Sequence, residues 1–389
     1  MLYLSRSILL LICLTVLFAC NSAKMQEKQT YENKTDFSNQ SSDLFVVRVN
    51  KKYGFIDRTG KIVIEPQLEF ASNYVEGLAL VRTSSEELKL GFIDRTGKFV
   101  VSPRSGNLQF FSEGLAAVGI GEFTMHGGGD HKFGFIDKSG NQIIETNFRE
   151  ARAFSEDLAA VMNEEGKWGY IDKTGKAVIP FQFEDAFSFS EDLACVLTNG
   201  LFGFIDKSGK IVIQPRFAVP SQFKEGLAAV ELPVKNFKPN KYYGTYVRSF
   251  GELMYIDKAG NTAVKLDENI IKINDFSEGL AVVDVKESEK KYYTGFINTT
   301  GEMIVKLNFD ANVQNFSEGL ASFYTKDKFG FLDKTGKVVI KPEYSLAEDF
   351  HSGLARVEKG KDIMTQKLGY EPKAGYIDKT GKVIWQPTK

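Results

Sequence analysis

The sequence predicts an all-β protein made of nine tandem meander units of about 40 residues each. Three observations carry that expectation. One phrase, YGFIDRTGKIVI from Tyr53 and FGFLDKTGKVVI from Phe329, recurs along the chain. A second phrase, F-x-x-A-x-x-F-S-E-G-L-A-x-V, fills the rest of the period, as in FEDAFSFSEDLACV from Phe183. The spacing is regular: Asp57 and Asp378 lie 321 residues and eight steps apart, a period typical of propellers and solenoids.

Each element follows from local chemistry. The runs "GFID" and "KIVI" are short, aromatic and β-branched, which suits strands. Between them lies a turn with Asp first and Gly fourth. The aspartates are Asp57, Asp94, Asp137, Asp172, Asp206, Asp257, Asp333 and Asp378, with Asn298 taking the place once. The glycines are Gly60, Gly97, Gly140, Gly175, Gly209, Gly260, Gly301, Gly336 and Gly381. Asp caps nearby backbone amides, and Gly takes the left-handed position of a type I turn with a G1 bulge. Both are therefore structural. The second phrase reads as a strand through "AxxF", a tight turn at S-E-G/D, and a strand at "LAxV". The unit is a four-strand meander, A ("AxxF"), B ("LAxV"), C ("GFID") and D ("KIVI").

These units resemble the WG, or KWG, repeats of bacterial proteins, over roughly Asp43 to Pro387. The dipeptide stands as Trp168-Gly169, and Tyr53, Phe133, Phe202 and Phe329 fill the Trp place elsewhere. Unit six departs, with Met254 in place of the glycine. The resemblance implies a repeat scaffold and little about activity. One meander cannot bury both faces, so neighbours must stack. A propeller-like toroid is favoured, and an open superhelix or solenoid is the alternative. Nine blades exceed the usual four to eight. The segment DFSNQSSDLFVV from Asp36 can supply strands A and B of unit one, so no clasp strand is needed.

Residues 1–19 read as an export signal: Arg6 precedes an apolar run from Ile8 to Phe18, too short to span a bilayer. Leu17-Phe18-Ala19-Cys20 resembles a bacterial lipobox, which implies a lipidated Cys20. Residues 20–42 are polar and expected to form a disordered tether. Residues 43–389 form the repeat domain. The expected location is lipid-anchored to the bacterial membrane, the outer one by the absence of Asp after Cys20, facing the periplasm or the surface.

With 49 basic and 50 acidic residues, no cationic excess attracts phosphate backbones, so nucleic acid is not an expected partner. Cys195 replaces the alanine of "LAAV" and reads as a buried apolar residue. No hydrolase, phosphate-loop or dinucleotide motif is present. His126, His131 and Asp130 sit around three glycines, and no metal or cofactor is expected.

Function is expected where length varies. From turn Gly to strand-B Leu the distance is 18 to 20 residues, whereas from that Leu to the next turn it is 13 to 30. Variable connections lie at the surface and carry binding. In an up-and-down meander the B–C and D–A connections share one face, so one face is decorated and the other uniform. Candidate ligand-binding residues in the B–C connections are Phe123, Phe237, Tyr242, Tyr243, Tyr246, Arg248, Tyr292 and Tyr293. An alternative is that B and C extend as longer ribbons. The expected function is a non-enzymatic binding or scaffold module for a protein or glycan of the cell envelope. The alternative is an envelope hydrolase or lyase at the channel or groove of the array.

Overall fold

The computed structural model describes residues 43–85, 89–121, 131–238, 241–242, 245–246, 251–289, 291–360 and 373–386. Nine antiparallel meander sheets follow one another along the chain. Blade one spans 45–68, two 70–104, three 107–148, four 150–183, five 185–217, six 228–265, seven 270–306, eight 312–344 and nine 346–385. Blade five shows the pattern: strand A Asp185–Ala186, B Ala194–Thr198, C Leu201–Ile205 and D Ile211–Phe217.

Strand A is shorter than the sequence suggests. It has two residues in blades four, five, eight and nine. In blade six it is absent from the sheet, where Pro220 removes an amide donor. Blade one shows strands B, C and D; the segment proposed for its strand A lies outside the described residues.

The array closes into a ring, a nine-bladed propeller. The turn glycine of each blade sits over strand D of the blade before. A Cβ on Gly97 would lie 3.5 Å from Ile64, and one on Gly381 3.4 Å from Ile340. The series returns to its start at Gly60, where a Cβ would lie 2.5 Å from the Ile384 carbonyl oxygen. Phe45 of blade one meets Tyr376 of blade nine edge-on at 5.4 Å, and the Tyr376 hydroxyl donates to the Val46 carbonyl. Blades one and nine keep separate sheets among the described residues, so closure comes from side-by-side packing without a shared strand.

The cores lie between blades. Phe135, Phe154, Ala159 and Val161 form one cluster that joins blades three and four. Phe135 and Phe154 meet edge-on at 4.9 Å, and both are fully buried. The "GFI" aromatic of one blade thus packs on the "FSEG" aromatic of the next. This burial is the main stabilising term, at roughly 25 cal/mol per Å² of apolar surface.

The acidic residue of F-S-E-G does more than shape its own turn. Glu76, Glu113, Glu156, Glu191, Glu225, Glu278 and Glu318 all have φ between 50° and 56°. They occupy the first central position of type I′ turns, where a non-glycine residue costs about 1 kcal/mol or more. Each carboxylate reaches the next blade. Glu113 accepts from the amides of Glu156 and Asp157 at 2.6 and 2.9 Å. Lys173, from the C–D turn of that next blade, lies 3.2 Å from the same carboxylate. Glu278, Gly319 and Lys334 repeat the arrangement. At the closing seam Ser352 stands where glutamate is expected and bonds to Asp43 instead.

Glu113→Ala is therefore expected to lower stability by about 2 kcal/mol, as two charge-assisted bonds go and the left-handed strain stays. Glu113→Gly loses the same bonds but relieves the strain, and should recover about 1 kcal/mol. Equilibrium urea unfolding separates them; equal midpoints for wild type and Glu113→Ala would refute the clasp.

The C–D turns are self-contained. Asp57 Oδ1 accepts from the Thr59 hydroxyl and from the amides of Thr59 and Lys61. The Thr59 hydroxyl, ahead of the amides of Lys61 and Thr59, holds the Asp57 carboxyl below its usual range. A depressed carboxyl contributes stability that is present at neutral pH and fades as pH falls through its folded-state value.

Strand D is the exposed edge. Val63, Val100, Ile143, Val178, Val212, Ile304 and Val339 are all exposed there. Pro66, Pro103, Pro180, Pro215 and Pro342 interrupt the same strands, which blocks pairing with another edge.

Candidate functional site

The two faces differ chemically. The A–B and C–D turns share one face, where the recurring Glu–Lys pairs and amide clasps satisfy each other around the ring. The opposite face carries the B–C connections, and among the described residues its features lie on blades five to eight.

Phe123, Tyr243 and Arg248, like Cys20, lie outside the described residues. Phe237 is half-buried, and its amide donates to the Val234 carbonyl at 3.1 Å. The insertion of blade six forms a small hairpin, Lys241–Tyr242 with Thr245–Tyr246. Tyr246 does not stand free on it. Its hydroxyl donates to Asp185 Oδ2 of blade five at 2.9 Å, and its ring meets Phe202 edge-on at 4.8 Å. Burial, then the Asp185 charge, raises the Tyr246 hydroxyl well above its usual range, so it stays a donor. Asp185 is fully buried and also binds Arg152 at 3.0 Å. The Arg152 guanidinium lies 4.2 Å from the Phe187 ring centre and 5.0 Å from that of Trp168. The insertion is thus stitched to blade five, and removing residues 234–250 would take away one of the partners of a buried carboxylate.

Among the described residues the longest ribbon is that of blade seven, Leu280–Ser288 paired with Lys291–Asn298. Tyr292 is about half exposed, and Lys306 sits 3.9 Å from the ring centre of Tyr293. Lys306 is also paired with Glu287 at 2.8 Å. The side-chain bonds of Lys291, then Lys306, hold the Glu287 carboxyl down to about 2. Both tyrosines line a shallow cleft of about 250 Å³ with Lys272, Asp284, Thr294, Asp310 and Asn312.

The cleft has a cause in the repeat. The residue before the glycine in "WG" is Tyr53, Leu90, Phe133, Trp168, Phe202, Leu253, Thr294, Phe329 and Ala374 in the nine blades. Tyr53 of blade one packs on Phe70, the first strand-A residue of blade two, at 6.1 Å. In blade seven Thr294 replaces that large side chain. Its Oγ1 lies 2.8 Å from Asp284 Oδ1 and 2.8 Å from the Ala311 carbonyl of blade eight. Lys272, Asp284 and Thr294 then form one polar row across strands A, B and C. A second hollow of about 220 Å³, lined by Val219, Glu231 and Leu253, opens on the other side of Lys272, where blade six lacks its strand A. Sequence reasoning passed over Thr294, Lys272, Asp310 and Asn312; the lost aromatic at position 294 is the signal that points to them.

Cys195 is buried, and that burial pushes its thiol up to about 12. It packs in the core cluster of blades five and six.

Fold and faces together define a β-propeller repeat scaffold with one self-saturated and one decorated face. The chain belongs to the WG containing repeat family, whose model matches residues 53–84, 91–122, 133–168, 168–202, 202–232, 295–329 and 329–361. Among solved structures, BamB from Moraxella catarrhalis is similar at 11% identity, covering 82% of this chain and 96% of that one, with a TM-score of 0.42. Apo AztD from Citrobacter koseri is similar at 12% identity, covering 89% and 94%, with a TM-score of 0.40. The β-propeller domain of the trilobed protease from Pyrococcus furiosus is similar at 12% identity, covering 72% and 94%, with a TM-score of 0.36. No curated protein compared with the chain matches it.

Proposed function

We propose that this chain is a non-enzymatic binding module of the bacterial envelope, held to the outer membrane by lipid on Cys20 and engaging a protein or glycan through its B–C face. The observation that carries this reading is the asymmetry of the faces. On one, recurring Glu–Lys pairs and backbone clasps leave little for a partner to bind. On the other, blades six to eight combine two hollows with an exposed tyrosine. Tyrosine on an exposed ribbon suits recognition, since it adds contact area at a low cost in conformational entropy.

The test uses photo-crosslinking amino acids placed at Tyr292 on the decorated face and at Thr380 on the uniform one, in cells. An adduct with an envelope component is expected from position 292 alone. Equal adducts from both positions, or one from 380 only, would remove the reading.

A further inference from the structure

We infer that the cleft between blades seven and eight is a subsite for one neutral sugar ring of an envelope polysaccharide. This rests on the decorated face being the binding face, and it names what that face takes.

The cleft lies where the repeat normally supplies a flat ring. Thr294 removes the large side chain that precedes the repeat glycine in most blades, and a hollow of about 250 Å³ results. That is below the ~300–1,000 Å³ of sites that enclose a drug-sized ligand, so it fits a single small unit. The hollow is open, which lets the rest of a longer chain pass over it.

Its walls select the chemistry of the missing ring. A partner's aromatic side chain would desolvate Lys272, Asp284 and Asp310 without bonding to them, which is unfavourable. A ring bearing hydroxyl groups meets the same groups as donor and acceptor. Among the described residues, neither the Asp310 carboxylate nor the Asn312 amide has a side-chain hydrogen-bond partner, and both are exposed. Asp284 bonds to Thr294 on one oxygen, and its other oxygen is 3.9 Å from Lys272. Tyr292 adds an apolar ring face beside these planar groups. One aromatic face with planar hydrogen-bonding side chains around it matches a pyranose, which has an apolar face and an equatorial rim of hydroxyls. The cleft carries both charge signs, which favours a neutral ring over a polyanion or polycation.

Affinity electrophoresis of the full chain in gels containing a neutral glucan, mannan or galactan tests this, with polygalacturonate and polylysine gels alongside. At least one neutral polymer should retard the wild type. Tyr292→Ala and Asn312→Ala should each weaken that retardation about tenfold, and Thr294→Phe, which refills the hollow, should abolish it. Thermal melts identify any variant that fails to fold; Asn312 is exposed, so Asn312→Ala keeps the test decisive. Retardation by no neutral polymer, or by polylysine or polygalacturonate alone, overturns the inference. So does undiminished retardation of Asn312→Ala and Thr294→Phe. If crosslinking from position 292 persists while sugar binding is absent, this subsite falls and the binding-face reading stands.

Discussion

Asp185→Ala is expected to lower the unfolding free energy by about 3 kcal/mol. Asp185 is fully buried between blades four and five and answers the Arg152 guanidinium at 3.0 Å. It also accepts from the Tyr246 hydroxyl at 2.9 Å and from the Ala186 amide at 2.9 Å. Removing one partner of a buried pair leaves the other charge uncompensated, which typically costs ~3–5 kcal/mol. The lower end applies because the Arg152 side chain is 22% exposed and recruits some water. Asp185→Asn keeps an acceptor for Tyr246 and should cost about half as much. Arg152→Met on the Asp185→Ala background should recover stability, since the stranded charge is gone and the aromatic walls remain. Urea unfolding of wild type, Asp185→Ala, Arg152→Met and the double variant closes a cycle that gives the coupling directly. A midpoint for Asp185→Ala within 1 kcal/mol of wild type, by the usual linear extrapolation, would show that the network is ornamental.

Gly203→Ala is expected to cost about 3 kcal/mol or more, although one methyl group is all that changes. Gly203 is the glycine of the repeat dipeptide in blade five. A Cβ there would lie 2.6 Å from the Ile213 carbonyl oxygen and 2.7 Å from the Pro215 nitrogen. Those are backbone atoms, which do not move aside cheaply. In this blade the crowding coincides with a bulge. Phe202 pairs with Phe217 and Phe204 with Ile213, so strand D has extra residues that arch over the glycine. Blade six supplies the internal control. There Met254 takes the glycine's place, and the ladder is regular from Met254–Lys265 to Tyr255–Val264. Met254→Ala should therefore cost only packing, about 2 kcal/mol. Thermal melts compare the two, and amide exchange should show the loss in Gly203→Ala concentrated in blade five. Equal losses in both variants would mean that the bulge does not require glycine.

Much of the fold was legible because a meander repeat is local. Asp57 and Gly60 make their turn with neighbours four residues away or fewer, so the spacing alone announces it. "LAxV" and "GFID" pair in register both across the two residues Asn199-Gly200 and across the long insertion of blade six. The glutamate of F-S-E-G was a different case. Its strained φ could be guessed from a turn, but its carboxylate acts 35 to 54 residues away on the next blade. No local pattern states that distance. Tyr246 reads in the sequence as a candidate binding aromatic, yet its hydroxyl is bound to Asp185, 61 residues upstream. Thr294 was visible as a departure from the aromatic at its place, yet its consequence depends on the neighbouring blade.

The chain's order of residues determined by itself that there are nine sheets, where their turns fall, and which connections vary. Short-range hydrogen bonding and alternation settle those features within one unit. Whether the sheets close, which carboxylates clasp the next blade, and where a missing ring leaves a hollow were decided only in three dimensions. Those outcomes depend on how one blade's side chains meet the next, at Tyr376 and Phe45 across 331 residues as at Thr294 and Ala311 across 17, and packing of that kind has no period to read.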